Sequence, residues 1–211
     1  MKNNKIIKFI TLTLLFILVN ELLKSLLNYD KLLQNYLAEQ LTSSQIDNFF
    51  TFQKKWQYFS YTFILIYLLL KTSSITLIIY IGSFFISKKE ILFKQLWTII
   101  INAEFLFLLV PLIKIIWFYY FKSTINIEDI QYFYPLSALN IIGYIGLEPW
   151  LIYPFQILNL FEVAYVIYLG YQIGKLTKTN TDSGLKIVAY SYVPALLLWV
   201  TVVMFLTLNY S

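Results

Sequence analysis

The chain has 211 residues, of which 59% are hydrophobic, 19% are aromatic and 13% are charged, and its net charge is +5. In soluble domains about a quarter of the residues are charged, so this composition excludes a protein that folds in water alone. It predicts a single membrane domain, residues 1–211. Cysteine and histidine are absent and every basic residue is lysine, which excludes disulfides, thiolate or imidazole catalysis, Cys/His zinc sites and the arginine forks of nucleic-acid recognition.

The N-terminal part predicts a first span and an amphipathic segment. Residues 6–27 form the first apolar run, and without a small-residue cleavage site they favour an uncleaved anchor over a signal peptide. Residues 29–56 are the most polar stretch, with apolar positions at helical spacing, and predict an external amphipathic helix at the membrane surface. Ser44, with Asp47 three residues later, is a candidate N-cap for the next helix.

The second predicted span, residues 57–87, is longer than a bilayer needs. As a helix it would extend about 46 Å at roughly 1.5 Å per residue, against a hydrocarbon core of about 30 Å. The polar segment 71–74 interrupts it. Three interpretations stay open: one kinked span, two half-helices that meet near the midplane, or a hairpin of two short helices that would invert the topology of the rest.

The C-terminal part predicts three further spans around one external loop. Pro111 is expected to kink the third span. The predicted segments are the third span 96–121, the external loop 122–148, the fourth span 150–171 and the fifth span 187–208. The fold class is therefore an all-α polytopic bundle of about five spans.

The lysines predict the orientation, since cytoplasmic loops collect basic residues and acidic residues contribute little. Five spans place most lysines on one side and favour a cytoplasmic N-terminus and a periplasmic C-terminus. The inside set is Lys2, Lys5, Lys8, Lys88, Lys89, Lys94, Lys175, Lys178 and Lys186, and the outside set is Lys31, Lys54, Lys55 and Lys122.

Seven polar side chains in the second, third and fourth predicted spans are the candidate site residues. Ionisable groups there cost about 2.5 to 3.5 kcal/mol at the membrane centre unless they face protein or water with a partner. Residue counts from the span ends place Lys71 and Glu162 closest to the midplane and predict that they pair. The candidates are Lys71, Asn102, Glu104, Lys114, Gln156, Asn159 and Glu162.

These polar groups allow two interpretations. They line a cavity for a proton, an ion or a polar headgroup, or they are interhelical hydrogen bonds of about 0.6 to 2 kcal/mol each. Neither interpretation predicts an enzyme, because a carboxylate without a nucleophile, metal shell or oxyanion donors gives no catalytic set. No cofactor or metal is expected either, since the sequence lacks phosphate-binding glycine loops and any Glu-x-x-His pair.

Two glycines, Gly170 and Gly174, form a G-x-x-x-G pattern near the end of the fourth span. This pattern is typical of closely packed helices in membranes, where the missing side chain lets backbones approach. It predicts tight helix packing or oligomerisation.

Three segments carry a resemblance to a known family. They are the lysine-led start of the third span (93–97), the segment 158–163 that leads into the fourth span, and the Gly-Lys turn before Lys186. From Lys94 onward this layout resembles the Yip1-like membrane proteins, which implies a five-helix domain with a cytosolic N-terminus. The composition and the segment 132–137 are similar to small membrane proteins of Bacteroidota, which implies a bacterial inner membrane.

Two functional hypotheses follow. The first is a non-enzymatic scaffold or partner of other membrane proteins, acting with such a partner or as a homo-oligomer. The second is a transporter or permease subunit that binds a proton, an ion or a small polar solute through Lys71, Glu104, Asn159 and Glu162.

Overall fold

The computed structural model describes residues 3–86, 91–122 and 124–210, and every element in them is helical. Ser87, at the end of the predicted second span, and the lysines Lys2, Lys88 and Lys89 of the predicted inside set lie outside these residues. In chain order the helices are α1 (Asn3–Leu26), α2 (Tyr29–Ala38), α3 (Ser43–Ile86), α4 (Phe93–Glu104), a 3-10 turn (Phe105–Leu108), α5 (Leu109–Phe121), α6 (Ile127–Tyr132), α7 (Ala138–Ile142), α8 (Pro149–Ile157), α9 (Leu160–Leu176) and α10 (Thr181–Tyr210).

Four helices in the described part of the chain are long and apolar enough to cross a membrane. They are Lys5–Leu26, Ser43–Ile86, Phe93–Phe121 and Thr181–Tyr210. The all-α class is confirmed, and these helices suit a membrane-embedded protein. The predicted fourth span, 150–171, is not among the four because the structure divides it between α8 and α9.

Helix α3 continues through the segment where the sequence predicts an interruption. Its 44 residues form one helix of about 66 Å at roughly 1.5 Å per residue. The Thr72 and Thr76 hydroxyls donate to the Leu68 and Thr72 carbonyl oxygens at 2.8 and 2.6 Å. Because the helix itself accepts the hydroxyl hydrogen of Thr72 within the polar segment and that of Thr76 just after it, these threonines do not require a turn.

The start of α3 differs from the predicted cap at Ser44. The helix begins at Ser43, and the Gln45 side chain accepts hydrogen bonds from the Thr42 backbone N–H at 2.9 Å and from the Thr42 hydroxyl at 3.0 Å. Thr42 and Gln45 are three residues apart, which is the spacing of a capping box. Ser44 therefore lies inside the first turn.

The third span changes its helical geometry just before Pro111. The 3-10 turn joins α4 to α5 and ends at Leu108. A proline at position 111 has no N–H to donate to the carbonyl of Phe107, so the α-helical ladder is interrupted at this point. The proline thus acts within the predicted span without ending it.

The division between α8 and α9 lies at Leu158 and Asn159. Pro154 is inside α8, and Asn159 is extended, with φ −137° and ψ 160°. The segment 136–138 runs alongside: Ala138 N–H donates to the Leu158 carbonyl at 2.8 Å, and Leu160 N–H donates to the Leu136 carbonyl at 3.1 Å. These bonds satisfy backbone groups that the break would leave unpaired.

The main core lies between α3, α4, α9 and α10. Its fully buried residues are Ile79, Leu96, Ile100, Tyr165, Leu169, Ile173 and Val188. A second cluster joins α1 to this core through Phe9, Leu12, Leu68 and Ile101. Helix α4 contributes to both clusters and contacts α1, α3 and α9, so it links α1 to the main core.

The glycine pattern packs α9 against α10. A Cβ on Gly170 would lie 2.5 Å from Leu185 Cδ2, and one on Gly174 would lie 2.5 Å from the Asn180 carbonyl oxygen. The facing residue of α10 is Gly184, whose own Cβ would overlap the Gly170 carbonyl oxygen. The predicted tight helix packing occurs within the chain, between three glycines.

Candidate functional site

A buried ion pair joins α3 to α4. Lys71 Nζ lies 2.8 Å from Glu104 Oε2, and Glu104 is 0% exposed whereas the Lys71 side chain is 27% exposed. The other carboxylate oxygen, Oε1, accepts a hydrogen bond from the Tyr165 hydroxyl of α9 at 3.1 Å. Lys71 Nζ also lies 4.3 Å above the Phe107 ring centroid, within cation–π range. The Glu104 carboxylate therefore ties three helices together.

The second carboxylate, Glu162, pairs with a tyrosine. Tyr192 of α10 donates its hydroxyl to Glu162 Oε1 at 2.5 Å. The prediction that Lys71 pairs with Glu162 is wrong, because the Lys71 ammonium is bonded to Glu104. The two networks are neighbours, since the Tyr165 and Tyr192 rings lie 5.5 Å apart. We call Lys71, Glu104, Glu162, Tyr165 and Tyr192 the polar cluster.

Asn159 forms the N-cap of α9. Its Oδ1 accepts from the Glu162 backbone N–H at 2.8 Å, and its Nδ2 donates to the carbonyls of Gln156 and Ile157 at 2.8 and 3.0 Å. The amide thus satisfies groups on both sides of the break. Gln156 itself donates to the Tyr132 carbonyl at 3.3 Å and ties α8 to α6.

Two predicted site residues lie away from the polar cluster. Asn102 Oδ1 accepts from Lys8 Nζ of α1 at 3.1 Å. Lys114 Nζ donates to the Ile130 carbonyl of α6. Each bond fastens a span to a neighbouring element, in keeping with the interpretation of these groups as interhelical hydrogen bonds.

Sequence reasoning missed Tyr165 and Tyr192 as members of the site. Tyr165 is three residues after Glu162 and so shares its side of α9, which is a signal the helical spacing contains. Tyr192 offers no such signal, because its contact with Glu162 joins two different helices. A third missed contact is the Trp97 indole N–H, which donates to the Thr72 hydroxyl at 3.2 Å.

The carboxylates of the polar cluster have hydrogen-bond donors within the cluster itself. Each carboxylate has a donor, and the Glu104 carboxylate has one on each oxygen. In the part of the chain that the structure describes, no group of three or more Asp, Glu, His or Cys residues could hold a metal ion. The arrangement suits fixed interhelical bonds.

Replacing Asn159 by alanine is expected to lower the free energy of unfolding by about 1 to 2 kcal/mol, since the cap of α9 is lost. Thermal unfolding of the purified protein in detergent, followed by circular dichroism, measures the change. Asn209→Ala is the matched control, because Asn209 is exposed and, among the described residues, its amide donates only to the Phe205 carbonyl. Equal stability of the two variants would show that the cap contributes nothing.

The comparisons with known proteins leave the family open. The chain matches no protein-family model, no curated protein and no solved structure.

Proposed function

We propose that this chain is a non-enzymatic integral membrane protein that binds other membrane proteins as a scaffold or partner. In this proposal it has the Yip1-like arrangement in a bacterial inner membrane, with a cytoplasmic N-terminus and a periplasmic C-terminus. The broken α8 and α9 pair supplies the fifth crossing.

The observation that carries the proposal is the aromatic surface on the first part of α3. Residues 61–86 alone extend about 39 Å, more than a hydrocarbon core of about 30 Å. The preceding 18 residues of α3, 43–60, are therefore not needed for the crossing. Within residues 43–60 only Ile46 is buried.

The exposed aromatic residues of segment 43–60 follow a pattern suited to helix pairing. Phe49, Phe52, Trp56 and Phe59 are 41%, 63%, 41% and 55% exposed. Their spacing of three, four and three residues is that of the a and d positions of a heptad, the positions that meet a partner helix. We define these four residues as the α3 aromatic surface, and the proposed partner is a membrane protein that presents an apolar helix to it.

Site-specific photocrosslinking in cells at native expression tests the proposal. A photoreactive residue at position 52 is expected to capture a membrane protein. The same residue at Lys54 is the control, since Lys54 is exposed on the same helix but lies two residues away, at the heptad position that points away from a partner. Recovery of monomer alone from position 52, or equal capture from both positions, would contradict the proposal.

A second candidate function rests on the break between α8 and α9. Half-helices that meet inside a membrane form the binding sites of many transporters, and here Asn159 and Glu162 stand at that break. A transporter or permease subunit would bind a proton, an ion or a small polar solute there, with Lys71 and Glu104 alongside. Glu162→Gln would then abolish transport and leave expression intact, whereas loss of folded protein would support a structural role.

A further inference from the structure

An aromatic cleft of about 210 Å³ lies where α5 ends, beside α6 and α7. The Trp117 and Phe133 rings stack at 5.6 Å with an interplanar angle of 15°, and Phe118 meets Phe133 edge-on at 5.2 Å. On the other side the Tyr132 and Tyr144 rings lie 4.9 Å apart. These five rings form the walls of what we call the aromatic cleft.

An ion pair lies within these walls. Lys122 Nζ is 2.5 Å from Asp129 Oδ1, and the Tyr144 hydroxyl donates to the same oxygen at 3.2 Å. The Asp129 side chain is 12% exposed whereas the Lys122 side chain is 36% exposed. The carboxylate is thus the fixed group inside the cleft, and the ammonium reaches it from the rim.

The Asp129 carboxylate is held as an anion in this position. Burial raises its pKa, but the hydrogen bonds from Lys122 and from the Asn126 backbone N–H outweigh burial, so the pKa of Asp129 lies below its ordinary value. The bond from Asn126 is one half of the capping box of α6: the Asn126 backbone N–H donates to Asp129 Oδ2 at 3.1 Å, and the Asp129 backbone N–H donates to Asn126 Oδ1 at 2.8 Å. The cap fixes the carboxylate at the base of the cleft.

The cleft lies beside a belt of aromatic residues. Tyr119, Tyr120 and Phe121 at the end of α5 are 68%, 73% and 70% exposed. Exposed aromatic residues at the end of a spanning helix are typical of the level of lipid headgroups. If α5 spans the membrane, these residues place the cleft at the level of the lipid headgroups of one leaflet.

We propose that the aromatic cleft binds the phosphoethanolamine group of a zwitterionic phospholipid. Its ammonium takes the place of the Lys122 ammonium on Asp129, between aromatic rings that favour cations. Its phosphate then pairs with the displaced Lys122. The single ion pair between Lys122 and Asp129 is replaced by two, one between the ligand ammonium and Asp129 and one between the ligand phosphate and Lys122. Every charge therefore has a partner of opposite sign.

The size of the cleft agrees with this ligand. At about 210 Å³ it is smaller than the clefts of roughly 300 to 1,000 Å³ that hold drug-sized molecules. A small headgroup fits such a volume, and its acyl chains would remain in the bilayer. The binding does not depend on the α3 aromatic surface, which belongs to a different helix.

Lipid titration of the delipidated protein, followed by native mass spectrometry, tests the site. The protein is expected to retain phosphatidylethanolamine over phosphatidylglycerol, which has the phosphate but no ammonium. Asp129→Asn, which keeps the shape of the side chain and an oxygen for the capping box, is expected to weaken retention of phosphatidylethanolamine by about tenfold or more. Asp182→Asn makes the same charge change at an exposed position of α10 and should leave retention unchanged.

Soluble phosphoethanolamine separates the two sources of this chemistry. If it displaces the lipid from the native protein, the headgroup alone supplies the binding; if it does not while Asp129→Asn still loses the lipid, the lipid is the ligand. A charge swap, Lys122→Asp with Asp129→Lys, keeps an ion pair but reverses its polarity, and it is expected to lose retention. Because the swap also removes the capping-box acceptor of α6, its thermal unfolding is compared with that of Asp129→Asn, which keeps an acceptor oxygen. The proposal would be overturned if Asp129→Asn and the charge swap both retained phosphatidylethanolamine as well as the native chain does.

Discussion

Gly184→Val is expected to leave little folded protein, because α10 can no longer approach α9. A Cβ at position 184 would lie 2.6 Å from the Gly174 nitrogen and 2.9 Å from the Gly170 carbonyl carbon, and it would overlap the Gly170 oxygen. All three atoms belong to backbone, so no side-chain rotation relieves the overlap. Extra groups in packed interiors commonly cost 1 to 3 kcal/mol, and we expect about 3 kcal/mol or more here.

The measurement is the yield of monodisperse protein after membrane extraction, together with its thermal unfolding. Ala189→Val is the control, since Ala189 lies on the same helix with its side chain exposed, and it should fold like the native chain. A Gly184→Val variant with native yield and stability would show that α9 and α10 are not held at the distance the structure gives.

The same contact explains why this part of the fold was partly predictable. The G-x-x-x-G spacing of Gly170 and Gly174 is visible in the sequence and predicts close packing. Its partner, Gly184, lies across a turn on the next helix. The glycine spacing in the sequence identifies a face of α9 that another helix can approach closely. Which residue packs against that face depends on how the whole bundle folds.

The helix boundaries show a similar division. Composition and length predict four of the apolar helices, because long apolar runs are a local property. The sequence leaves open whether α3 is one helix or two, since the hydroxyls of segment 71–74 can bond either to their own helix or to other groups. The break at Asn159 was hidden by the high hydropathy on both sides of it.

The sequence predicts the three charged members of the polar cluster, Lys71, Glu104 and Glu162, by residue type, but it does not predict how they pair. Counting residues from the span ends estimates depth, which placed Lys71 level with Glu162. Depth says nothing about the direction in which a side chain leaves its helix. In the structure Lys71 Nζ lies 2.8 Å from Glu104 Oε2, whereas Glu162 accepts its hydrogen bond from Tyr192.

Lys71→Met is expected to lower the free energy of unfolding by about 3 to 5 kcal/mol, the cost of breaking a buried pair by removing one partner. The loss arises because Glu104, at 0% exposure, would retain a single donor, the Tyr165 hydroxyl. Adding Glu104→Leu to Lys71→Met should recover part of the stability, since apolar replacement of a whole buried pair is often neutral. The recovery is incomplete because the buried Tyr165 hydroxyl, which donates to Glu104, loses its acceptor. Reversible unfolding in detergent measures all three proteins.

The exposed pair of Lys24 and Glu21 on α1 provides the matched control. Its atoms are 3.2 Å apart and its side chains are 45% and 38% exposed, so Lys24→Met should cost less than about 1 kcal/mol. If Lys71→Met proved as mild as Lys24→Met, the buried pair would not be holding α3 to α4. If the double variant folds and position 52 still gives the capture expected under the scaffold proposal, the charges serve the structure of the bundle. If the native chain supports solute uptake and the double variant folds but loses it, the charges belong to the proposed transport function.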